Sequence, residues 1–161
     1  MEIKYDKLKK VIDEMTNKHH TLSTMESCTG GGLCSVITNV EGANNVLNFS
    51  CITYSNEYKI KMGVDHKIIE KFGAYSIETS KAMSKAIAKL TNSEIGIGIS
   101  GKLNSFDTID EKNGMIYFSI YKQNEKKFYS KVVTISKPKR EDSKKAIINV
   151  IIETLYNIYF C

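Results

Sequence analysis

Residues 21–33 read Thr-Leu-Ser-Thr-Met-Glu-Ser-Cys-Thr-Gly-Gly-Gly-Leu, and the turn within them, Glu26-Ser27-Cys28-Thr29-Gly30-Gly31-Gly32, decides the fold. A short apolar and β-branched run leads in, and Leu33, Val36 and Ile37 lead out at helical spacing. A strand therefore enters a helix through a turn of small residues. Such a junction sets unpaired N–H groups and the positive end of a helix dipole beside the residue that tops the strand. Glycines there permit positive φ and a close backbone approach to a ligand. Ser27 becomes a candidate nucleophile, its hydroxyl held outside the core next to donors for an anion. A plainer reading stands beside this one: Thr29 caps the helix and the glycines ease a tight junction. A motif this short does not choose between them.

Working outward, Leu8, Val11, Ile12 and Met15 form an apolar stripe that predicts a helix over residues 3–18. The first strand is expected over 21–25 and the first glycine-led helix over 29–39. Residues 49–54, rich in aromatic and β-branched side chains, predict a buried strand. Ser55 or Asn56 can cap a short helix carrying Lys59, and Gly63 ends it. A second short helix spans 65–72, and Ser76 caps a longer one over 77–91. In 94–100, Ile95, Ile97 and Ile99 alternate with Gly96 and Gly98, a strand whose glycine face admits a helix or ligand. Residues 102–113 are polar and irregular, a loop of functional length. Strands over 114–121 and 128–136 flank a hairpin turn, and Pro138 introduces a last helix over 139–158. Helices join the early strands and the late strands form a hairpin. This order predicts one α/β domain over 1–161, three layers (α/β/α) around a mixed sheet.

Composition narrows the function. The chain has 161 residues, enough for a substantial core, with 42% hydrophobic and 25% charged residues, an ordinary globular balance. No apolar run reaches the ~20 residues that span a bilayer, and Met1-Glu2-Ile3-Lys4 lacks the apolar stretch of a signal peptide. A cytoplasmic protein with no membrane partner is expected. Cys28, Cys34, Cys51 and Cys161 form no Cys-x-x-Cys pair, and His19, His20 and His66 are not spaced with them as ligands. Free thiols and no metal site follow. The net charge of +5 comes from lysines spread over helical surfaces, without a dense run or aromatic platform, so nucleic acid is not the expected partner. A homo-oligomer is compatible with this composition. Of 23 cations only Arg140 is arginine, which marks it as a place where a planar fork is needed.

Ser27, Tyr54, Lys59, Ser100 and Arg140 all fall at strand C-terminal ends or helix beginnings, where open α/β sheets bind ligands. The histidines are poorly placed to serve Ser27 as base. A Ser–Lys pair is the alternative, the lysine made partly neutral by burial or a neighbouring cation.

Four motifs then follow in order: Glu-Ser-Cys-Thr-Gly-Gly at 26–31, Tyr-Ser-Asn-Glu-x-Lys at 54–59, Gly-Val at 63–64 and Phe-Gly-Ala-x-Ser-x-Glu at 72–78. Together they resemble the CinA C-terminal domain, the family of nicotinamide-mononucleotide deamidases, over nearly the whole chain. The resemblance implies an α/β/α domain that hydrolyses the carboxamide of nicotinamide mononucleotide to nicotinate mononucleotide and ammonia, without a cofactor. It implies Ser27 as nucleophile, Lys59 as general base and Tyr54 as a hydrogen-bonding partner of that pair. Thr29, Gly30, Gly31, Ser100 and Arg140 would bind the substrate, a pyridine nucleotide.

Two departures from the family pattern stand out. Where the family continues into a Gly-x-Ala-Gly-Pro loop, this chain has Gly101 followed by Lys102-Leu103-Asn104-Ser105-Phe106-Asp107. Lys137-Pro138-Lys139 precedes Arg140 where the family tends to glycine and aspartate. A binding module of the same fold, holding pyridine nucleotide with weak or no turnover, is the competing reading. A thiol enzyme using Cys28 is a third.

Overall fold

The alternation of isoleucine and glycine in residues 95–99 sets the middle of the molecule. In the computed structural model, which describes residues 1–103 and 110–161, they form β3 (Ile95–Gly101), every residue of it buried. β3 lies between β1 (Leu22–Glu26), parallel to it, and β4 (Met115–Lys122), antiparallel to it. β2 (Leu47–Ile52) pairs in parallel with β1, and β5 (Lys127–Thr134) pairs antiparallel with β4. The mixed sheet has the order β2-β1-β3-β4-β5.

The two faces of β3 are covered differently. Ile95, Ile97 and Ile99 join a core with α1 (Tyr5–Asn17), α2 (Gly32–Thr38) and α6 (Arg140–Phe160). Gly96 and Gly98 face α5 (Ile77–Thr91), whose backbone comes so close that a Cβ on Gly98 would lie 2.3 Å from the Ser80 carbonyl oxygen. The glycine face therefore admits a helix and not a ligand. Met25, Val64, Met83 and Ile87 form a smaller apolar cluster on the α5 side. The predicted three-layer α/β arrangement is what the chain adopts.

Two local expectations change. Residues 49–54 were expected to be a buried strand, but β2 is a sheet edge, with Phe49 42% and Ile52 53% exposed. β-rich composition reports fit to a pleated surface, not a central position in the sheet. The helix expected over 29–39 begins only at Gly32, with Gly31 as N-cap. Gly30 and Gly31 adopt φ of 60° and 88°, left-handed conformations that extend the turn by three residues.

The short helices start as the sequence predicts. Ser55 accepts from the Tyr58 N–H to cap α3 (Asn56–Lys61), and Asp65 accepts from the Lys67 N–H to cap α4 (His66–Phe72). Ser76 accepts from the Thr79 N–H to cap α5. Of the irregular loop at 102–113, residues 104–109 lie outside the described residues. Among the described residues no helix is long and apolar enough to cross a membrane.

Candidate active site

β1 ends at Glu26, and the chain leaves the sheet at Ser27. Glu26 is the residue whose part the sequence reading missed. Its carboxylate is wholly buried and accepts three hydrogen bonds, from Thr29 Oγ1 at 2.5 Å, the Leu33 N–H at 3.1 Å and the Cys34 N–H at 2.8 Å. The last two are first-turn amides of α2 that the helix itself leaves unpaired. A negative charge against this helix end is also favoured by the dipole. Glu26 thus fastens both ends of the turn and fixes where Ser27 stands. A charged residue closing a buried strand, with no basic residue nearby in sequence, was the available signal.

This arrangement corrects the expectation for the glycine turn. Thr29 is buried and its hydroxyl is committed to Glu26. Missing Cβ atoms let Ile52 approach Gly31 and Lys144 approach Gly30, where a Cβ would lie 3.1 Å from Ile52 Cδ1 and 3.4 Å from Lys144 Nζ respectively. None of these three residues lines the cavity beside Ser27. Ser100 does not line it either: its buried hydroxyl donates to the Ala74 carbonyl at 2.6 Å, tying β3 to the segment before α5.

Ser27, Lys59, Tyr54 and Arg140 are brought together. They line one cavity of about 330 Å³ with Cys28, Asn56, Ala74, Tyr75, Gly101, Lys102 and Leu103. α3 carries Lys59 inward from the end of β2, leaving it 2% exposed. Its Nζ lies 3.4 Å from Ser27 Oγ and donates to the Thr53 carbonyl at 2.7 Å. Burial pulls the Lys59 pKa below the usual lysine value. Cys28, 5% exposed, is pushed up to about 12 by burial, with the Glu26 charge adding to the rise. Its thiol therefore stays protonated near neutral pH and is a poor nucleophile.

Tyr54 departs from expectation. Its side chain is 68% exposed at the mouth of the cavity, and among the described residues its hydroxyl makes no hydrogen bond to Ser27 or Lys59. Arg140, the first residue of α6, donates from Nη1 to the Leu103 carbonyl at 3.4 Å. Three cations line the cavity, Lys59, Lys102 and Arg140, and no carboxylate does among the described residues. That lining favours an anionic ligand.

A buried lysine with a depressed pKa, set against a serine above the carboxyl end of a sheet, defines an α/β domain with a candidate Ser–Lys centre. The CinA C-terminal domain model matches residues 5–159. The chain belongs to that family. A relative in Caldicellulosiruptor saccharolyticus, whose name ties it to competence and damage induction, is 35% identical over 156 residues, covering 91% of this chain and 36% of the relative. The CinA-like protein of Kosmotoga olearia is 40% identical over 113 residues, covering 69% of this chain and 27% of its own. The matched part is about a third of these relatives' length.

Among solved structures, the competence or damage-inducible protein of Enterobacter asburiae superposes with a TM-score of 0.90 at 22% identity, covering 99% of both chains. The competence/damage inducible protein of Agrobacterium tumefaciens gives 0.87 at 21% identity, covering 95% of this chain and 93% of that one. At these identities the likeness shows the fold.

Proposed function

We propose that this domain is a serine amidohydrolase that converts nicotinamide mononucleotide to nicotinate mononucleotide and ammonia. The observation that carries the reading is the buried Lys59 Nζ, 3.4 Å from Ser27 Oγ and lowered in pKa by its burial. Catalytic hydrogen bonds of this kind tighten when substrate closes the site. Neutral Lys59 takes the Ser27 proton as Oγ attacks the carboxamide carbon. The Cys28 N–H follows the nucleophile directly, the position that supplies an oxyanion donor in serine hydrolases with a strand–turn–helix elbow. Among the described residues it donates to no backbone carbonyl, and its partner is the Cys28 thiol itself. The Lys59 ammonium then gives its proton to the carboxamide nitrogen, the C–N bond breaks, and ammonia leaves the acyl-enzyme. Water attacks the acyl-enzyme as Lys59 takes its proton, the acyl bond to Oγ breaks, and Lys59 returns that proton to Ser27 Oγ.

The substrate assignment rests on family membership and on the cavity lining. Arg140 offers a fork to the phosphate. The rings of Tyr54 and Tyr75, 68% and 40% exposed, flank the mouth and offer apolar faces to a pyridine ring. Tyr54 acts in this scheme as a wall of the site and not as a partner of the Ser–Lys pair.

An ammonia-release assay with nicotinamide mononucleotide tests the reading, and steady turnover that depends on Ser27 is expected. Tight calorimetric binding without ammonia release would instead make the domain a nucleotide-binding module.

A further inference from the structure

Lys102 is the first residue beyond β3 and stands where the family's glycine loop would begin. It lines the cavity together with Arg140. Its backbone is fixed from both sides: its N–H donates to the Met115 carbonyl at 3.1 Å, and its carbonyl accepts from the Gly114 N–H at 2.9 Å. Only the side chain is left to move. The ammonium donates to Asp110 Oδ2 at 2.5 Å, in a pair whose side chains are 27% and 37% exposed. Asp110 does not line the cavity.

Of the other two cations, Lys59 is committed to Ser27 and the Thr53 carbonyl, and Arg140 reaches the Leu103 carbonyl. Lys102 has its counter-charge outside the cavity, in a pair exposed enough to exchange readily. We propose that Lys102 gives up Asp110 for the substrate's phosphate and clamps it opposite Arg140. A point charge and a planar fork then hold one dianion from two sides. A side-chain cation would thus serve where glycine backbone is missing. The proposal rests on the amidase reading for the identity of the nucleotide, but not for the anion site itself.

The test compares Lys102→Gln, Lys102→Arg and Asp110→Asn with nicotinamide mononucleotide and with nicotinamide riboside, which lacks the phosphate. Lys102→Gln should raise KM for the mononucleotide about fivefold with little change in kcat, and weaken competitive inhibition by inorganic phosphate equally. Lys102→Arg should retain most of the affinity, and KM for the riboside should not move. Asp110→Asn should lower both KM and the phosphate inhibition constant about twofold, because Lys102 is freed.

If Asp110→Asn weakens binding as Lys102→Gln does, the pair merely fastens the segment and the proposal fails. It fails equally if Lys102→Gln leaves both constants unchanged. If the wild type releases no ammonia, the amidase reading falls alone. Calorimetry with inorganic phosphate then decides, with Lys102→Gln required to bind more weakly and Asp110→Asn more tightly.

Discussion

The Lys59 ammonium donates to the carbonyl oxygen of Thr53 at 2.7 Å, and among the described residues no carboxylate acts on its pKa. A carbonyl accepts a hydrogen bond but carries no compensating charge. The protonated form is therefore buried at a cost, and the pKa falls. The same cost that favours the neutral, basic form of Lys59 makes it a liability for the fold.

Lys59→Met should abolish turnover while leaving the domain at least as stable at pH 7, by about 1 kcal/mol or less. The sign of the pH effect follows from the lowered folded pKa. Between that value and the ordinary 10.5, the unfolded chain binds more protons than the folded one. Wild-type stability therefore rises with pH through this window, and the advantage of Lys59→Met shrinks across it. The ratio kcat/KM should climb as pH approaches the folded value and level off above it, as neutral lysine accumulates. Thermal melts of both proteins at several pH values check this. A stability difference that does not change with pH would show that Lys59 does not titrate as argued.

Ser27→Ala should lower kcat by roughly 10⁴ or more, as removal of the nucleophile does in comparable constellations. Cys28→Ala should retain most of the activity, because burial pushes that thiol up to about 12 and alanine keeps the backbone N–H in place. Steady-state rates for the two variants separate the mechanisms. Loss of activity in Cys28→Ala with full activity in Ser27→Ala would overturn the serine assignment.

Glu26→Gln tests the fastening of the turn. The carboxylate accepts from Thr29 Oγ1, the Leu33 N–H and the Cys34 N–H, so every contact it makes is as an acceptor. A glutamine has one acceptor oxygen and must turn its NH₂ toward a donor. One buried donor then goes unpaired, at about 2 kcal/mol. Denaturant unfolding should show this loss, and kcat should fall because Ser27 is no longer held in register with Lys59. Unchanged stability would mean that the turn holds itself without the carboxylate.

Gly98→Ala tests the close approach of α5 to the sheet. The added Cβ would lie 2.3 Å from the Ser80 carbonyl oxygen and 2.6 Å from the Ser84 N, both backbone atoms. Backbone on both sides cannot yield as a flexible side chain does, so about 3 kcal/mol or more of destabilisation is expected. Denaturation midpoints compared with wild type measure it. A near-neutral Gly98→Ala would mean that α5 can slide off the sheet at little cost.

The sequence carried the fold well because the decisive signals are local. Alternation in 95–99 marks the central strand, the spacing of Leu8, Val11, Ile12 and Met15 marks α1, and Ser55 and Ser76 cap the helices they precede. The position of β2 at an edge was not legible, since strand order depends on pairing between segments far apart in sequence.

In the site, Ser27, Lys59 and Arg140 converge as their places at strand and helix ends suggested. The orientation of neighbouring side chains was illegible. Thr29 and Ser100 carry hydroxyls suited to a ligand but spend them on Glu26 and Ala74. Tyr54 lies in a motif with Lys59, yet its ring faces solvent. Residue type and spacing give the capacity to bond, and only packing decides the partner.

Arg140 should bind the substrate's phosphate in a way that lysine cannot reproduce. It is the one arginine among 23 cations, so arginine is not this chain's habitual surface choice. It is also the first residue of α6, where a cation opposes the helix dipole unless an anion lies between them. The fold places it on the same cavity as Ser27 and Lys59. There its Nη1 reaches the Leu103 carbonyl at 3.4 Å. Lysine supplies the charge without the planar pair of donors. Arg140→Lys should therefore raise KM for nicotinamide mononucleotide about tenfold, worth ~1.4 kcal/mol of binding, with a smaller effect on kcat. Nicotinamide riboside, which has no phosphate, should bind wild type and variant alike. Equal impairment with both substrates would show instead that the Leu103 contact is what matters, and that Arg140 shapes the cavity wall without holding the phosphate.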